Sequence, residues 1–421
     1  MTNMTYVRAF LAIFVCAGAA TSADWPQWRG PTNDGHSTEK GLPTEWGIDK
    51  NLVWKFKMPG VGACTPAVWG DNIFVTSVDG GDVVILCVGT DGKEKWKEKL
   101  SNTGAKRYPN PGGGEVTDAS ASCCTDGKHV WAFAGNGALV CFTVDGKREW
   151  ENDVAKHGKI EIAFGAHWTP VLYKDKLYLQ VMHRRAQKLV RYDALTGKED
   201  WAVDRLGRGK GESVDVYASA LLWEGQGGPL LISHGNDFTS GHKLTDGSEV
   251  WRVQGLNPRD NNNWRFVSNP LVTPDLIVVP SCKNGPTVGV NPVGAKGNIN
   301  PDNPAEKWRI NTTPDVVSPI RVDDVVYLCG PGPFTAIDAK NGKEIYQASV
   351  TKGYHWANMV AADGKIYATN HDGTVDVIEA GNKFKKIATN NLPDKMFGSP
   401  AIAGGRIYFR GFGYLWAVGA K

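Results

Sequence analysis

The chain has 421 residues, among them 50 glycines, 23 prolines and 16 tryptophans, with 22% charged residues and a formal net charge of +3. So little charge with so many aromatics excludes a disordered chain and a coiled coil, and high glycine without collagen periodicity points to many short strands joined by tight turns. No strong field of either sign is implied. The densest basic runs, His183-Arg184-Arg185 and Lys383 to Lys386, are too short for a nucleic-acid binder.

In chain order, residues 1–23 read as a secretory signal peptide. Arg8 precedes an apolar run from Ala9 to Ala20, and Thr21, Ser22 and Ala23 are small residues suited to cleavage before Asp24. The run is too short to span a bilayer, which takes about 20 residues. Cys16 follows Val15 instead of the small residue of a lipobox, so a cleaved leader and a periplasmic or secreted protein are expected, without a transmembrane segment. Residues 24–50 form an N-terminal extension, and 51–421 a single domain. The remaining cysteines, Cys64, Cys87, Cys123, Cys124, Cys141, Cys282 and Cys329, sit mostly in apolar contexts and read as buried thiols.

From about residue 50 two signals repeat. The first is a small polar residue, often followed by proline, leading into an apolar stretch, a polar turn and a second apolar run. Thr65-Pro66, Thr169-Pro170, Ser318-Pro319 and Ser399-Pro400 are strong copies; Ser122, Ser219, Asn269 and Asn358 begin weaker ones. The second is a hairpin turn before a large aromatic: Asp91-Gly92 before Trp96, Asp145-Gly146 before Trp150, Thr196-Gly197 before Trp201, Asp246-Gly247 before Trp251 and Asn341-Gly342 before Tyr346. Trp308 holds this place with a degenerate turn, and Ala380-Gly381-Asn382 precedes Phe384. Each unit therefore predicts four short antiparallel strands, and the period predicts an all-β, eight-bladed β-propeller. The last unit has room for three strands. Its outer strand is expected from Leu52-Val53-Trp54-Lys55-Phe56, closing the ring; seven blades is the alternative if a degenerate unit is not a blade.

Tyr192 to Glu199 and Ala336 to Glu344 resemble the pyrroloquinoline-quinone-like (PQQ-like) repeat, and Asp24-Trp25-Pro26-Gln27-Trp28-Arg29-Gly30-Pro31 is similar to the start of secreted PQQ-like propellers of planctomycete bacteria. The resemblance implies one of three branches, one of them secreted members with no assigned role. BamB-type propellers are non-catalytic scaffolds, whereas quinoprotein dehydrogenases bind PQQ and Ca²⁺ and oxidise alcohols or sugars. Cys123-Cys124 resembles the vicinal disulfide of the latter, but adjacent strand residues point to opposite faces, which favours two packed thiols.

The loops before each Ser/Thr-Pro position converge at the mouth of the central channel. They carry Arg107, His167-Trp168, Trp264-Arg265 and His355-Trp356, the expected ligand-binding residues, with Glu161, Phe164, Asp215, Tyr217, Lys395 and Phe397 beside them. If PQQ were bound, Arg107, Arg265 or Lys395 would neutralise its carboxylates, Glu161 and Asp215 would offer oxygens to Ca²⁺, and Asp215 would be the base. The competing reading has these rings plugging the channel. Taken together, a non-catalytic scaffold without a cofactor is favoured, binding a protein, a peptide or a small molecule as a monomer, with a quinoprotein dehydrogenase holding PQQ and Ca²⁺ as the alternative.

Overall fold

A computed structural model describes residues 24–101, 104–109, 115–330 and 332–420. The signal-peptide segment with Cys16, and the Pro111-Gly112-Gly113-Gly114 loop, lie outside the described residues. Eight sheets follow one another along the chain and form eight blades. Blade 1 is representative, with strands Ala67–Trp69, Asn72–Asp79, Asp82–Gly89 and Glu94–Lys99 in consecutive antiparallel order. The innermost strands of blades 2 to 8 begin at Cys124, Val171, Leu221, Leu271, Ile320, Val360 and Ala401.

Alternation along each strand sends successive side chains to opposite faces, so the apolar core is divided into layers between neighbouring blades. One cluster joins blades 1 and 2 through Phe74, Ile85, Val130 and Phe142; another joins blades 2 and 3 through Phe133, Leu139, Leu177 and Val190. A blade alone would leave both faces wet, which is why the unit exists only as a ring.

Closure occurs as the repeat count predicts. Leu52–Lys57 pairs antiparallel with Tyr414–Gly419, Trp54 opposite Ala417 and Phe56 opposite Leu415, and completes blade 8. The seven-blade alternative is excluded, because the degenerate fifth and seventh units are both true sheets.

Two belts of hydrogen bonds run around the ring. The outer belt uses the hairpin signal. The indole N–H of Trp54 donates to Thr90 (2.8 Å), Trp96 to Val144 (2.8 Å), Trp150 to Ala194 (2.9 Å) and Trp308 to Ala339 (3.0 Å), each reaching a carbonyl of the next blade. The turn glycine of that blade lies under the ring: a Cβ on Gly146, at φ +94°, would sit 2.9 Å from Trp96. Gly146→Ala combines left-handed strain with this clash and is expected to cost about 1–3 kcal/mol, read as a lower urea midpoint.

The degenerate turn of the fifth unit has a structural reason. Between Thr287–Val290 and Glu306–Ile310 the chain leaves the blade, and Gly297–Ile299 pairs in parallel with the outer strand of blade 4. Trp251, on that strand, is covered and fully buried instead of docking on a glycine turn of the next blade.

The inner belt uses the first signal. The backbone N–H of each unit's small polar residue donates to the side-chain oxygen of its counterpart in the next blade. The chain of bonds runs Thr65 to Ser122 (2.8 Å), Ser122 to Thr169 (3.2 Å), Thr169 to Ser219 (2.9 Å) and Ser219 to Asn269 (3.4 Å). It continues from Asn269 to Ser318 (3.0 Å), Ser318 to Asn358 (2.6 Å) and Asn358 to Ser399 (2.9 Å). Short oxygen-bearing side chains recur here because each must meet a neighbouring N–H beside the axis. The belt stops at the closure seam, where the buried Thr65 Oγ1 has no partner.

Residues 24–50 cross the end of the ring opposite the mouth loops. Trp25 bridges Val68 of blade 1, Pro26 accepts from Thr125 of blade 2, and Arg29 donates to Pro319 of blade 6 (2.9 Å). His36–Ser37 then joins blade 7 as a parallel fifth strand. The extension thereby floors the channel. Among the described residues no helix is long and apolar enough to cross a membrane.

Candidate functional site

A cavity of about 290 Å³ occupies the channel at the level of the inner belt. Its waist is the belt itself, through Thr65, Ser122, Thr169, Ser219, Asn269, Asn358 and Ser399. Trp28 of the extension forms its floor, on the downstream side of the belt, and the mouth loops form its rim. The result is a well open at one end.

The rim falls into quadrants. The loops leading to blades 3 and 4 bring Phe164, His167 and Tyr217; those leading to blades 7 and 8 bring Trp356 and Phe397. Ring order places these two aromatic groups across the axis from each other. Phe164 and His167 each contact Tyr217, with centroids 6.0 and 6.1 Å apart. Opposite them, exposed Tyr354 stacks on Trp356 (5.7 Å), which meets Phe397 (5.9 Å), so an aromatic slope leads inward from solvent. Between the two walls lie Arg265, Lys283 and Asp315 on one side and the small or aliphatic Ala63, Val116 and Ser120 on the other.

The charged quadrant is internally balanced. Arg265 lies 3.4 Å from Glu212 and over the Phe164 ring, while the backbone N–H of Lys283 donates to Asp315 (3.1 Å). Lys283, Asn284 and Asp315 all have positive φ, at 49°, 64° and 63°, a conformation that non-glycine residues adopt at a cost and that concentrates at functional sites. A groove of about 590 Å³ between blades 5 and 6 meets the well at Lys283 and Asp315.

Four polar atoms of the well are buried without a hydrogen-bond partner: Thr65 Oγ1, His167 Nδ1, Tyr217 Oη and Trp356 Nε1. Buried polar atoms are nearly always paired, and each orphan costs about 1–3 kcal/mol. His167 is held neutral by burial, which lowers its pKa to about 4 against the opposing contact with the Phe164 carbonyl. Its Nε2 lies 2.7 Å from that carbonyl, so Nε2 carries the proton and Nδ1 is a bare acceptor.

The structure brings His167, Arg265 and Trp356 together in the well and leaves the other expected residues outside it. Trp168 is fully buried, stacked between Phe133 and His183, and donates to Val216 (2.7 Å). Trp264 is equally buried and donates to Leu256 and to Ser281 Oγ, both at 2.8 Å. These two indoles pack between blades. His355 faces the Thr369 and Thr351 carbonyls, and Arg107 stands exposed on the short strand Arg107–Pro109. Flanking residues do not separate the two sets: buried Trp264 lies between exposed Asn263 and half-buried Arg265, whereas Trp356 lies between buried His355 and Ala357. Trp28, Lys283, Asp315 and Thr65 line the well without having been singled out for it.

The donor set does not suit a Ca²⁺-held quinone. Among the described residues Asp315 is the single carboxylate lining the well, whereas Ca²⁺ takes six to eight oxygens. Asp215 is ion-paired with Arg184 (2.6 Å) and Glu161 with Arg185 (2.9 Å), and neither lines the well. No group of three or more potential metal-ligating side chains occurs among the described residues. Cys123 and Cys124 are free thiols buried in different apolar clusters, one on each face of blade 2.

Comparison with known proteins places the fold. The model of the family described as outer membrane protein assembly factor BamB matches residues 117–279. No curated protein sequence matches the chain. Among solved structures, BamB from Moraxella catarrhalis is similar at a TM-score of 0.64 and 13% identity, covering 88% of this chain and 99% of that one. A europium-containing methanol dehydrogenase is similar at 0.66 and 13%, covering 92% and 89%. The quinohemoprotein alcohol dehydrogenase from Comamonas testosteroni is similar at 0.65 and 13%, covering 95% and 81%. At such identities these neighbours speak to the fold alone. The chain is an eight-bladed β-propeller similar in fold to BamB and to these dehydrogenases, and its residues 117–279 match the BamB family model.

Proposed function

We propose that the protein is a non-catalytic scaffold of the cell envelope or its exterior that binds a ligand, free or carried on a partner, at the mouth of its channel. The observation that supports this reading is the well itself, where orphaned polar atoms converge between aromatic walls at the end left open by the extension. A rigid ring carrying specificity in its loops is a binding architecture. The likeness to BamB and the signal-like residues 1–23 agree with an envelope setting.

Two measurements test it. Retention of a partner or small molecule from an envelope extract is expected for the natural protein and expected to fall at least tenfold for Trp356→Ala; equal retention would move binding away from the well. Addition of PQQ and Ca²⁺ is expected to leave no bound quinone absorbance and no dye-linked oxidation of alcohols or sugars. Dye reduction would replace the scaffold reading with the dehydrogenase.

A further inference from the structure

From the well's orphaned atoms and opposed aromatic walls we infer that it takes an uncharged flat ring with a hydrogen-bonding edge, a phenol or an indole, inserted between the Tyr217 and Trp356 sides. This rests on the reading of the well as a binding site and specifies what it holds.

Shape is the first argument. Aromatic groups face each other across the axis, and Trp28 closes the bottom. Two opposed π walls suit a ring offering both of its faces, in offset or edge-to-face contact. The volume, about 290 Å³, is ample for a ring of one or two fused cycles.

Hydrogen bonding is the second. Trp356 Nε1 can only donate, His167 Nδ1 can only accept, and Tyr217 Oη and Thr65 Oγ1 can do either. Tyr217 and Thr65 are both more than nine-tenths buried, so their hydroxyls reach no bulk water. A phenolic O–H or indolic N–H supplies the donor His167 lacks, and a phenolic oxygen accepts from Trp356 or Tyr217. A purely hydrocarbon ring would leave all four atoms unmatched.

Charge is the third. Arg265 is matched by Glu212, the Lys283 ammonium is engaged by the Asn263 carbonyl, the Asp315 carboxylate accepts from the Lys283 backbone N–H, and His167 is neutral. An ionised ligand would lose its hydration without gaining an unmatched counter-charge. The ring can arrive as a free molecule or as a Tyr or Trp side chain, and the groove meeting the well at Lys283 and Asp315 gives an attached chain a way out.

The test is calorimetric titration of the full chain with p-cresol, indole, toluene, phenylacetate and glucose. One-to-one binding of p-cresol and indole is expected, at least tenfold tighter than toluene, phenylacetate or glucose. Tyr217→Phe keeps the ring and removes the orphaned hydroxyl. It is expected to weaken p-cresol binding about fivefold to tenfold while the thermal midpoint of the unliganded protein holds or rises. A merely structural tyrosine would lower that midpoint and leave binding alone, which would overturn the assignment. So would p-cresol binding no tighter than toluene. Comparison of p-cresol with a blocked Gly-Gly-Tyr-Gly-Gly peptide separates the sources: tighter peptide binding assigns a partner's side chain, tighter p-cresol a free molecule. Glucose or phenylacetate binding best, and lost in Trp356→Ala, would sink the ring assignment and leave the scaffold reading standing. No probe binding, with partner retention unaffected by Trp356→Ala, would sink both.

Discussion

Between pH 6.5 and about 4 the folded protein is expected to lose several kcal/mol of stability, because its core holds three histidines that refuse a proton. His183, His234 and His242 are at most 2% exposed. Burial lowers them from 6.5 to about 4, 3 and 4 respectively, with Arg184 adding to the effect at His183 against Glu161, and Arg205 adding at the other two. Above pH 6.5 both folded and unfolded chains carry these rings neutral, and the stability is fully present. Below it the unfolded chain takes up protons that the folded chain excludes, so stability falls as pH falls, until the folded rings titrate as well. Each ring contributes up to about 1.4 kcal/mol per pH unit, and the three together about 4 kcal/mol per unit at the steepest, about 5.5 with His167 of the well, which burial also lowers to about 4, against a typical total of 5–15 kcal/mol. Most lowered carboxylates act at more acid pH. Asp118 and Asp237, raised by burial, oppose the trend near the lower end of the window. Urea midpoints at pH 7, 6 and 5 measure the slope. A flat profile would mean that these rings are protonated in the fold or reach water, and His234→Asn should reduce the slope by about a quarter, since His167 of the well is also lowered to about 4.

The reason these histidines are neutral is visible in their bonds. In His242 Nδ1 lies 2.9 Å from the Gly247 carbonyl and Nε2 lies 2.8 Å from Ser240 Oγ. Nδ1 must donate to the carbonyl, leaving Nε2 to accept from the Ser240 hydroxyl. A second proton would turn that acceptor into a donor beside a buried arginine. In His183, Nδ1 accepts from the Arg185 backbone (3.2 Å), and the ring is stacked on Trp168. The indole expected at the mouth is thus part of the packing that keeps His183 dry.

This exchange of roles shows which parts of the molecule the sequence could reveal. The blade count, the turn glycines and the closing strand follow from local rules: a type I′ turn needs positive φ, a strand alternates, and a four-stranded sheet must cover two faces. The inner belt was visible as a recurring Ser, Thr or Asn, although its bond pattern was not, because the partner lies some 40–57 residues away in the next blade. The well was half legible. His167, Arg265 and Trp356 belong to it, while Trp168 and Trp264 occupy the same loops and turn the other way. Loop backbone decides that direction, and no periodicity governs a loop. Trp28 and Asp315 escaped for a different reason: one lies on a segment that folds back beneath the ring, and the other needs a left-handed backbone that composition does not announce.

Arg205→Met is expected to destabilise the protein by about 3–5 kcal/mol, the cost of dismantling a buried charged hub. The guanidinium is 2% exposed and lies within the Leu230–Gly235 and Phe238–Lys243 hairpin of blade 4. It donates to the carbonyls of Gly235 (2.8 Å), Phe238 (2.8 Å) and Ser233 (3.2 Å) and to Ser240 Oγ (3.0 Å), and its plane sits 3.8 Å from the Phe238 ring centroid. Methionine restores most of the apolar stem but supplies no donor, so three carbonyls inside the blade lose their partner. That loss, not volume, carries the effect. Arg205→Lys keeps the charge with one ammonium in place of a five-donor fork and is expected to recover only part of it. The same substitution has a second consequence through Ser240. The arginine donates to the Ser240 oxygen, which turns the hydroxyl proton toward His242, and the positive charge itself disfavours an imidazolium. Without it, His242 should titrate closer to 6.5, and the pH slope of Arg205→Met should be shallower than that of the natural protein. A destabilised variant with an unchanged slope would separate the two and show that burial alone keeps His242 neutral.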